Sequence, residues 1–147
     1  MRIVLQRVTS ASVDVNDRCI ASIQRGLLLL VGIAPTDRDV DLRKLARKLS
    51  DLRIFEDAEG KMNRSLRDIQ GDILAVSQFT LYADVSKGRR PSFIKAASPD
   101  LASPLFDDFV RALREEGHGV QTGQFGAKMS VKLENDGPVT LVLEVAA

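Results

Sequence analysis

Over the first eight residues apolar and polar positions alternate, with Ile3, Leu5 and Arg7 set against Arg2, Val4, Gln6 and Val8. This period of two predicts a β-strand over residues 2–8. Two further stretches, residues 12–15 and 18–23, flank Asn16-Asp17, whose side chains tolerate tight backbone geometry, and they predict a hairpin. Gly26 then opens an unbroken apolar run over residues 27–33, the mark of a buried strand. After it the period lengthens. Val40, Leu42, Leu45, Ala46, Leu49 and Leu52 recur at helical spacing, so a helix is expected over residues 39–52, with residues 36–39 supplying its N-cap chemistry.

Arg53-Ile54-Phe55 reads as a short strand, residues 57–60 as a turn, and residues 73–81 as a strongly apolar strand ending in polar groups. Residues 82–99 are loop-like. A second helix is expected over residues 98–116 through Leu101, Leu105, Phe106, Phe109, Val110 and Leu113. Pro99 suits its first turn, whereas Pro104 predicts a late start or a kink. Alternation returns at residues 120–122, 129–133 and 139–145, and Asn135-Asp136-Gly137-Pro138 is expected to fold the last two strands into a hairpin. No repeat or linker divides the chain. The pattern predicts one α+β domain over residues 1–147: a curved, mostly antiparallel sheet or partial barrel with two principal helices packed outside.

Composition narrows the function. A chain of 147 residues that is 44% hydrophobic supports one core. Its 21 Lys and Arg balance 20 Asp and Glu, so there is no general basic field and any RNA contact must be local. Cys19 is the only cysteine, which excludes an intramolecular disulfide and a multi-cysteine zinc site and fits a reducing cytosol. The N-terminus lacks the apolar stretch of a signal peptide, and no apolar run approaches the ~20 residues that span a bilayer, so a soluble cytoplasmic protein is expected.

Conventional catalytic groups are scarce. The single histidine, His118, stands between Gly117 and Gly119 and reads as a turn after a helix, not as a general base. Cys19 reads as a small packing residue within a strand. Asp107-Asp108 and Glu115-Glu116 are helix neighbours pointing ~100° apart and read as solvated surface. No metal-ligand spacing occurs, and neither a metal nor a cofactor is expected. Ser77-Gln78-Phe79-Thr80 places two hydroxyls, an amide and a ring at the end of an apolar strand; by itself it is either a site or a strand end whose hydroxyls bond backbone. Lys87, Arg89 and Arg90 form either a phosphate-binding loop or an ordinary solvated one. Gly137-Pro138 alone reads as a hairpin corner.

The runs Ser77-Gln78-Phe79-Thr80-Leu81, Lys87-Gly88-Arg89-Arg90-Pro91-Ser92-Phe93 and Asn135-Asp136-Gly137-Pro138-Val139-Thr140 have the order and spacing of a known family. With Leu52-Arg53-Ile54-Phe55-Glu56-Asp57, Gly60-Lys61-Met62-Asn63 and Phe125-Gly126-Ala127-Lys128-Met129, the chain resembles the D-aminoacyl-tRNA deacylase family over essentially its whole length. The resemblance implies hydrolysis of the ester of D-aminoacyl-tRNA, with Ser77, Gln78, Phe79 and Thr80 as the catalytic segment. It implies a homodimer in which the Gly137-Pro138 peptide is cis and reaches into the partner's site, replacing the hairpin-corner reading. Phe125 and Met129 then help line the pocket for the terminal adenosine, and Lys87, Arg89 and Arg90 are candidates for contact with tRNA. Neither DNA nor a membrane is implied as a partner.

An ester to a ribose hydroxyl is already activated, so orientation and oxyanion stabilisation can supply most of the catalysis. The expectation is an oxyanion hole built from the backbone N–H groups of Phe79 and Thr80, with Gln78 positioning the substrate and a water attacking with help from the vicinal 2′-hydroxyl. Thr80 has no activating base in any motif and is expected to act by hydrogen bonding. Gly137-Pro138 is expected to exclude L-side chains sterically, which would admit glycine. Two rivals make different predictions. A non-catalytic RNA-end binding protein using the Lys87–Arg90 loop and the Phe125 pocket would leave the ester intact. A purely structural dimer would show neither hydrolysis nor salt-dependent tRNA binding.

Overall fold

The computed structural model describes residues 1–147. Its first strand, β1 (Arg2–Val15), merges the expected strand with the first arm of the hairpin, because exposed Thr9 and Ser10 cross without ending the pairing. Asn16 and Asp17 turn at φ +50° and +62° into β2 (Arg18–Ile23), confirming the turn chemistry. Then β3 (Gly26–Gly32) runs back beside the N-terminal half of β1, from Val8↔Gly26 to Arg2↔Gly32.

The first long helix, α1 (Leu42–Asp51), starts later than its spacing suggests. Asp41 caps it by accepting from the Lys44 N–H at 3.0 Å. Residues 37–39 form a separate 3-10 turn instead, because buried Asp37 is committed elsewhere: it accepts from Ala34 N–H at 2.7 Å and from the Met1 ammonium at 2.6 Å. A small ribbon follows, β4 (Phe55–Glu56) with β5 (Met62–Arg64), then the single turn α2 (Leu66–Ile69). The short strand expected at residues 53–55 is shifted, and β5 and α2 carry no periodicity long enough to read.

Parallel to β3 lies β6 (Asp72–Ser77), the last shared pair being Val31↔Ser77. The strand expected to reach residue 81 ends here, since β3 itself stops at Gly32 and offers nothing further to pair with. The second long helix, α3 (Pro99–Glu115), begins at Pro99 and continues through Pro104. The expected late start does not occur: Pro104 falls inside the helix, and the Asp100 carbonyl it cannot bond belongs to an exposed residue of the first turn.

Finally β7 (Val120–Thr122) adds parallel to β6, and β8 (Ser130–Glu144) lies along β1. The sheet order is β2-β1-β3-β6-β7, with β8 on the other edge of β1. The sheet curls until β2 meets β7, where Ser22 N–H donates to Gln121 Oε1 at 2.7 Å, so the barrel is nearly closed. Its antiparallel half surrounds β1 and its parallel half surrounds β6.

Both faces of this sheet are buried at its centre. Outside it, Ile3, Leu5, Leu27, Leu29 and Ile73 pack with Leu45, Leu49, Phe106, Phe109 and Leu113 of the two helices. Inside the curl, Val8, Val13, Ile23, Leu28, Leu74 and Val76 form a second cluster. This is why β3 reads as an unbroken apolar run and not as an alternation; each fully buried leucine contributes roughly 1.5–3 kcal/mol. Cys19 belongs to neither cluster. It is exposed near the hairpin tip, beyond the curl, so its expected packing role is not met.

The C-terminal hairpin is also absent. Both halves of β8 run antiparallel to the same strand, Leu133↔Ala11 before the Gly-Pro motif and Thr140↔Gln6 after it, so the chain never reverses. Between Asn135↔Val8 and Thr140↔Gln6 the register slips, and the intervening residues stand out as a wide bulge. A motif with turn composition here makes a projection within one strand.

Candidate active site

At the C-terminal end of β6 the chain leaves the sheet at Gln78 and enters a short 3-10 turn, Phe79–Tyr82. Gln78 remains tied to β3 through its N–H, which donates to the Val31 carbonyl at 2.8 Å, and its own carbonyl accepts from Leu81 N–H at 3.2 Å. The turn lies flat on Gly32: a Cβ there would stand 3.0 Å from Leu81 Cβ and 3.2 Å from the Gln78 carbonyl oxygen, so a side chain would lift it. From the far end Arg2 holds it, with Nη1 donating to the Leu81 carbonyl at 2.6 Å and the guanidinium 4.9 Å from the Tyr82 ring centroid. Burial, then the charges of Asp37 and Glu144, push the Tyr82 phenol up to about 12, so it stays neutral.

This seating leaves the first two amides of the turn free. A helical turn cannot satisfy its own leading N–H groups, and neither Phe79 N–H nor Thr80 N–H donates to any group in the chain. Gln78 Nε2 donates to Thr80 Oγ1, so the two polar side chains of the segment bind one another.

Ser77, Gln78 and Phe79 form one wall of a cavity of about 560 Å³, and Phe125 and Met129 line it with them. Its floor is apolar, supplied by Val76, Ala102 and neighbouring small residues. No ionisable side chain lines it. The sequence-derived set therefore divides: five of its residues share one cavity, Thr80 stands beside it holding Gln78, and Gly137-Pro138 lies outside it. Lys87, Arg89 and Arg90 are exposed on a loop whose base is closed by two backbone hydrogen bonds between Asp84 and Ser92, at 2.8 and 2.9 Å.

The Gly137-Pro138 peptide is cis, and both residues are exposed at the crest of the β8 bulge. Gly137 adopts φ +132°, where a Cβ would lie 2.9 Å from Val139 Cγ2 and 3.1 Å from Arg7 Nη2. Asn135 pins the bulge from inside, accepting from Val139 N–H at 2.8 Å and donating to Thr140 Oγ1 at 2.9 Å. Arg7 was not singled out in the sequence as a functional residue, yet it is buried beneath the motif and donates to the Asp136 carbonyl. Its signal was the charge standing where the alternation of β1 expects an inward apolar residue.

His118 plays no part here. It lies near the opposite end of β6, beside Asp72, with Nε2 2.7 Å from Ser50 Oγ. The Ser50 hydroxyl donates to the Ala46 carbonyl at 2.8 Å, so Nε2 is the donor of the pair. Burial first, then the Arg67 guanidinium, hold the imidazole below its ordinary pKa. Among His, Cys, Asp and Glu no cluster of metal-ligand type occurs, and no helix is long and apolar enough to cross a membrane.

Comparison with known proteins reaches the same region of function. A family model described as D-Tyr-tRNA(Tyr) deacylase matches residues 4–144. The D-aminoacyl-tRNA deacylase of a Picosynechococcus species is 57% identical over 145 residues, covering 98% of this chain and 96% of that protein. That of Bacillus pumilus is 55% identical over 144 residues, covering 98% of each. Among solved structures, a c-Myc DNA unwinding element binding protein superposes with a TM-score of 0.91 at 42% identity, over 100% of both chains. A probable eukaryotic D-amino acid tRNA deacylase superposes at 0.79 and 25% identity, over 97% of both.

Proposed function

The chain belongs to the D-Tyr-tRNA(Tyr) deacylase family and is a hydrolase of D-aminoacyl-tRNA, and from that premise we propose that its catalysis is carried by backbone amides and by the RNA substrate, not by side-chain bases. The observation that carries this reading is a cavity with no ionisable lining, beside which two adjacent N–H groups have no partner. Those amides, of Phe79 and Thr80, receive the negative charge that develops on the ester carbonyl oxygen. Gln78, restrained by Thr80, orients the aminoacyl group. Phe125 and Met129 take the terminal adenosine.

Water adds to the ester carbon and loses a proton with help from the 2′-hydroxyl. The tetrahedral intermediate then collapses, expelling the 3′-oxygen of the ribose, which leaves as a protonated hydroxyl. Free tRNA and the D-amino acid result. Fixing the reactants in one geometry is worth much of the barrier for an ester already this reactive.

Chiral selection is assigned to a second copy of the chain. The Gly137-Pro138 crest is exposed and stands outside the chain's own cavity, which supports its insertion into the cavity of a partner in a homodimer. There its rigid backbone blocks the position an L-side chain would occupy, while a D-side chain or the hydrogen of glycine is accepted. Lys87, Arg89 and Arg90 guide the tRNA acceptor end.

The test is ester loss from matched D- and L-tyrosyl-tRNA. Rapid release from the D-ester with the L-ester intact is expected. Retention of both esters with salt-dependent binding would point instead to an RNA-end binding protein.

A further inference from the structure

At the mouth of the cavity the ring of Phe79 meets that of Phe93 edge to face, with centroids 5.0 Å apart and planes at 74°. In the single chain the pair is settled in its geometry yet open to water: Phe79 is 54% exposed and Phe93 39%. Aromatic rings of this size dominate burial wherever they are covered, so an exposed pair fixed beside a cavity is a binding surface. Ile94, the next residue after Phe93, is exposed as well.

Charge identifies the occupant. Phe93 directly follows Ser92, which closes the loop carrying Lys87, Arg89 and Arg90. Lys95, on the other side, is neutralised by Asp84 at 3.5 Å, whereas the three loop cations form no ion pair and stay available for phosphate. An aromatic face bordered by free cations matches single-stranded nucleic acid, in which every base has a face to stack and every linkage a charge.

Size identifies the nucleotide. The cavity of about 560 Å³ holds a single ligand of drug-like dimensions, which an aminoacyl-adenosine fills. A preceding nucleotide has no room inside and must lie outside it. We propose that the Phe79–Phe93 pair is the stacking platform for the base preceding the terminal adenosine, with the adjoining phosphate held by the Lys87–Arg90 loop. This rests on the deacylase reading and extends it: the enzyme recognises at least two nucleotides, the second by its π face and without regard to base identity.

The experiment uses the full chain and a non-hydrolysable probe, a D-tyrosyl group amide-linked to a trinucleotide with 2-aminopurine at the middle position. Binding is expected to quench 2-aminopurine emission. Phe93→Ala is expected to weaken binding about ten-fold and to restore the emission, and Phe93→Tyr to preserve both. With an abasic middle nucleotide the unmodified protein is expected to lose a similar factor, and Phe93→Ala to lose nothing more. Equal weakening of intact and abasic probes by Phe93→Ala, or unquenched emission on binding, would overturn the platform. So would a Phe93→Ala protein that dissociates into monomers with the quench unchanged, since the rings would then belong to a subunit interface. Hydrolysis of D-tyrosyl-tRNA is read separately. Quenching without turnover would refute the deacylase mechanism and uphold the platform, and turnover without quenching would do the reverse.

Discussion

Arg7 holds the backbone of Asp136 from below: its Nε donates to the Asp136 carbonyl at 3.0 Å and lies 3.3 Å from the Asp136 carboxylate. The same guanidinium, 3% exposed, donates through Nη1 to the Ile54 carbonyl at 2.7 Å. One buried side chain thus ties β1, the segment before β4 and the bulge that carries Gly137-Pro138.

Arg7→Lys keeps the charge but loses the planar fork that reaches two carbonyls at once. It is expected to destabilise the fold by about 2 kcal/mol, read by denaturant unfolding. With the crest no longer held, turnover of D-tyrosyl-tRNA should fall further than the loss of folded protein explains, and retained turnover would separate the crest from catalysis.

Gly137→Ala tests the crest itself. At φ +132° a side chain is strained, and its Cβ would press on Val139 and on Arg7. A cost of about 1–3 kcal/mol is expected, together with a fall in the ratio of D- to L-ester hydrolysis. An unchanged ratio in a folded variant would remove Gly137 from chiral selection.

Thr80→Ala removes the hydroxyl that accepts from Gln78. Because the proposed chemistry uses the Thr80 amide and not its hydroxyl, kcat should drop by less than about ten-fold, the value of one hydrogen bond. Near-complete loss, with an acyl-enzyme trapped on the parent protein and seen by mass spectrometry, would make Thr80 the nucleophile.

Glycyl-tRNA offers no side chain to exclude. Under conditions that clear D-tyrosyl-tRNA it should also be deacylated. If it survives excess enzyme, rejection of the L-series is not steric alone.

His118 gives the fold a pH dependence separate from the active site. Its folded pKa is depressed, chiefly by burial, so the unfolded chain binds the proton more readily. The stability it contributes is complete above the unfolded value of about 6.5 and is lost as the pH falls through the folded one. Thermal unfolding from about pH 7 to about pH 5 should show a decline that His118→Gln lacks, while chemistry measured on folded protein is unaffected by the substitution.

Much of this molecule was legible in the chain because it depends on neighbours in sequence. The helical spacing of Leu45 and Leu49, the Asn16-Asp17 turn and the buried run of β3 are local patterns, and the structure keeps them. The motif residues were legible through resemblance, which a single residue such as Ser77 could not have provided.

What the chain could not disclose depended on partners distant in sequence. Asn135-Asp136-Gly137-Pro138 has the composition of a hairpin, and only pairing of both halves of β8 with β1 makes it a bulge. Residues 78–81 look like the end of a strand, and only the end of β3 at Gly32 turns them into the 3-10 turn that frees two amides. Arg7 looks like a charge in a strand, and only the crossing of three segments gives it three partners. Side-chain period and turn chemistry are properties of the chain, so the sequence by itself determined the two long helices, the buried strand β3 and the Asn16-Asp17 turn. Register, closure and the burial of a guanidinium arise when remote segments meet, and those the tertiary structure decided.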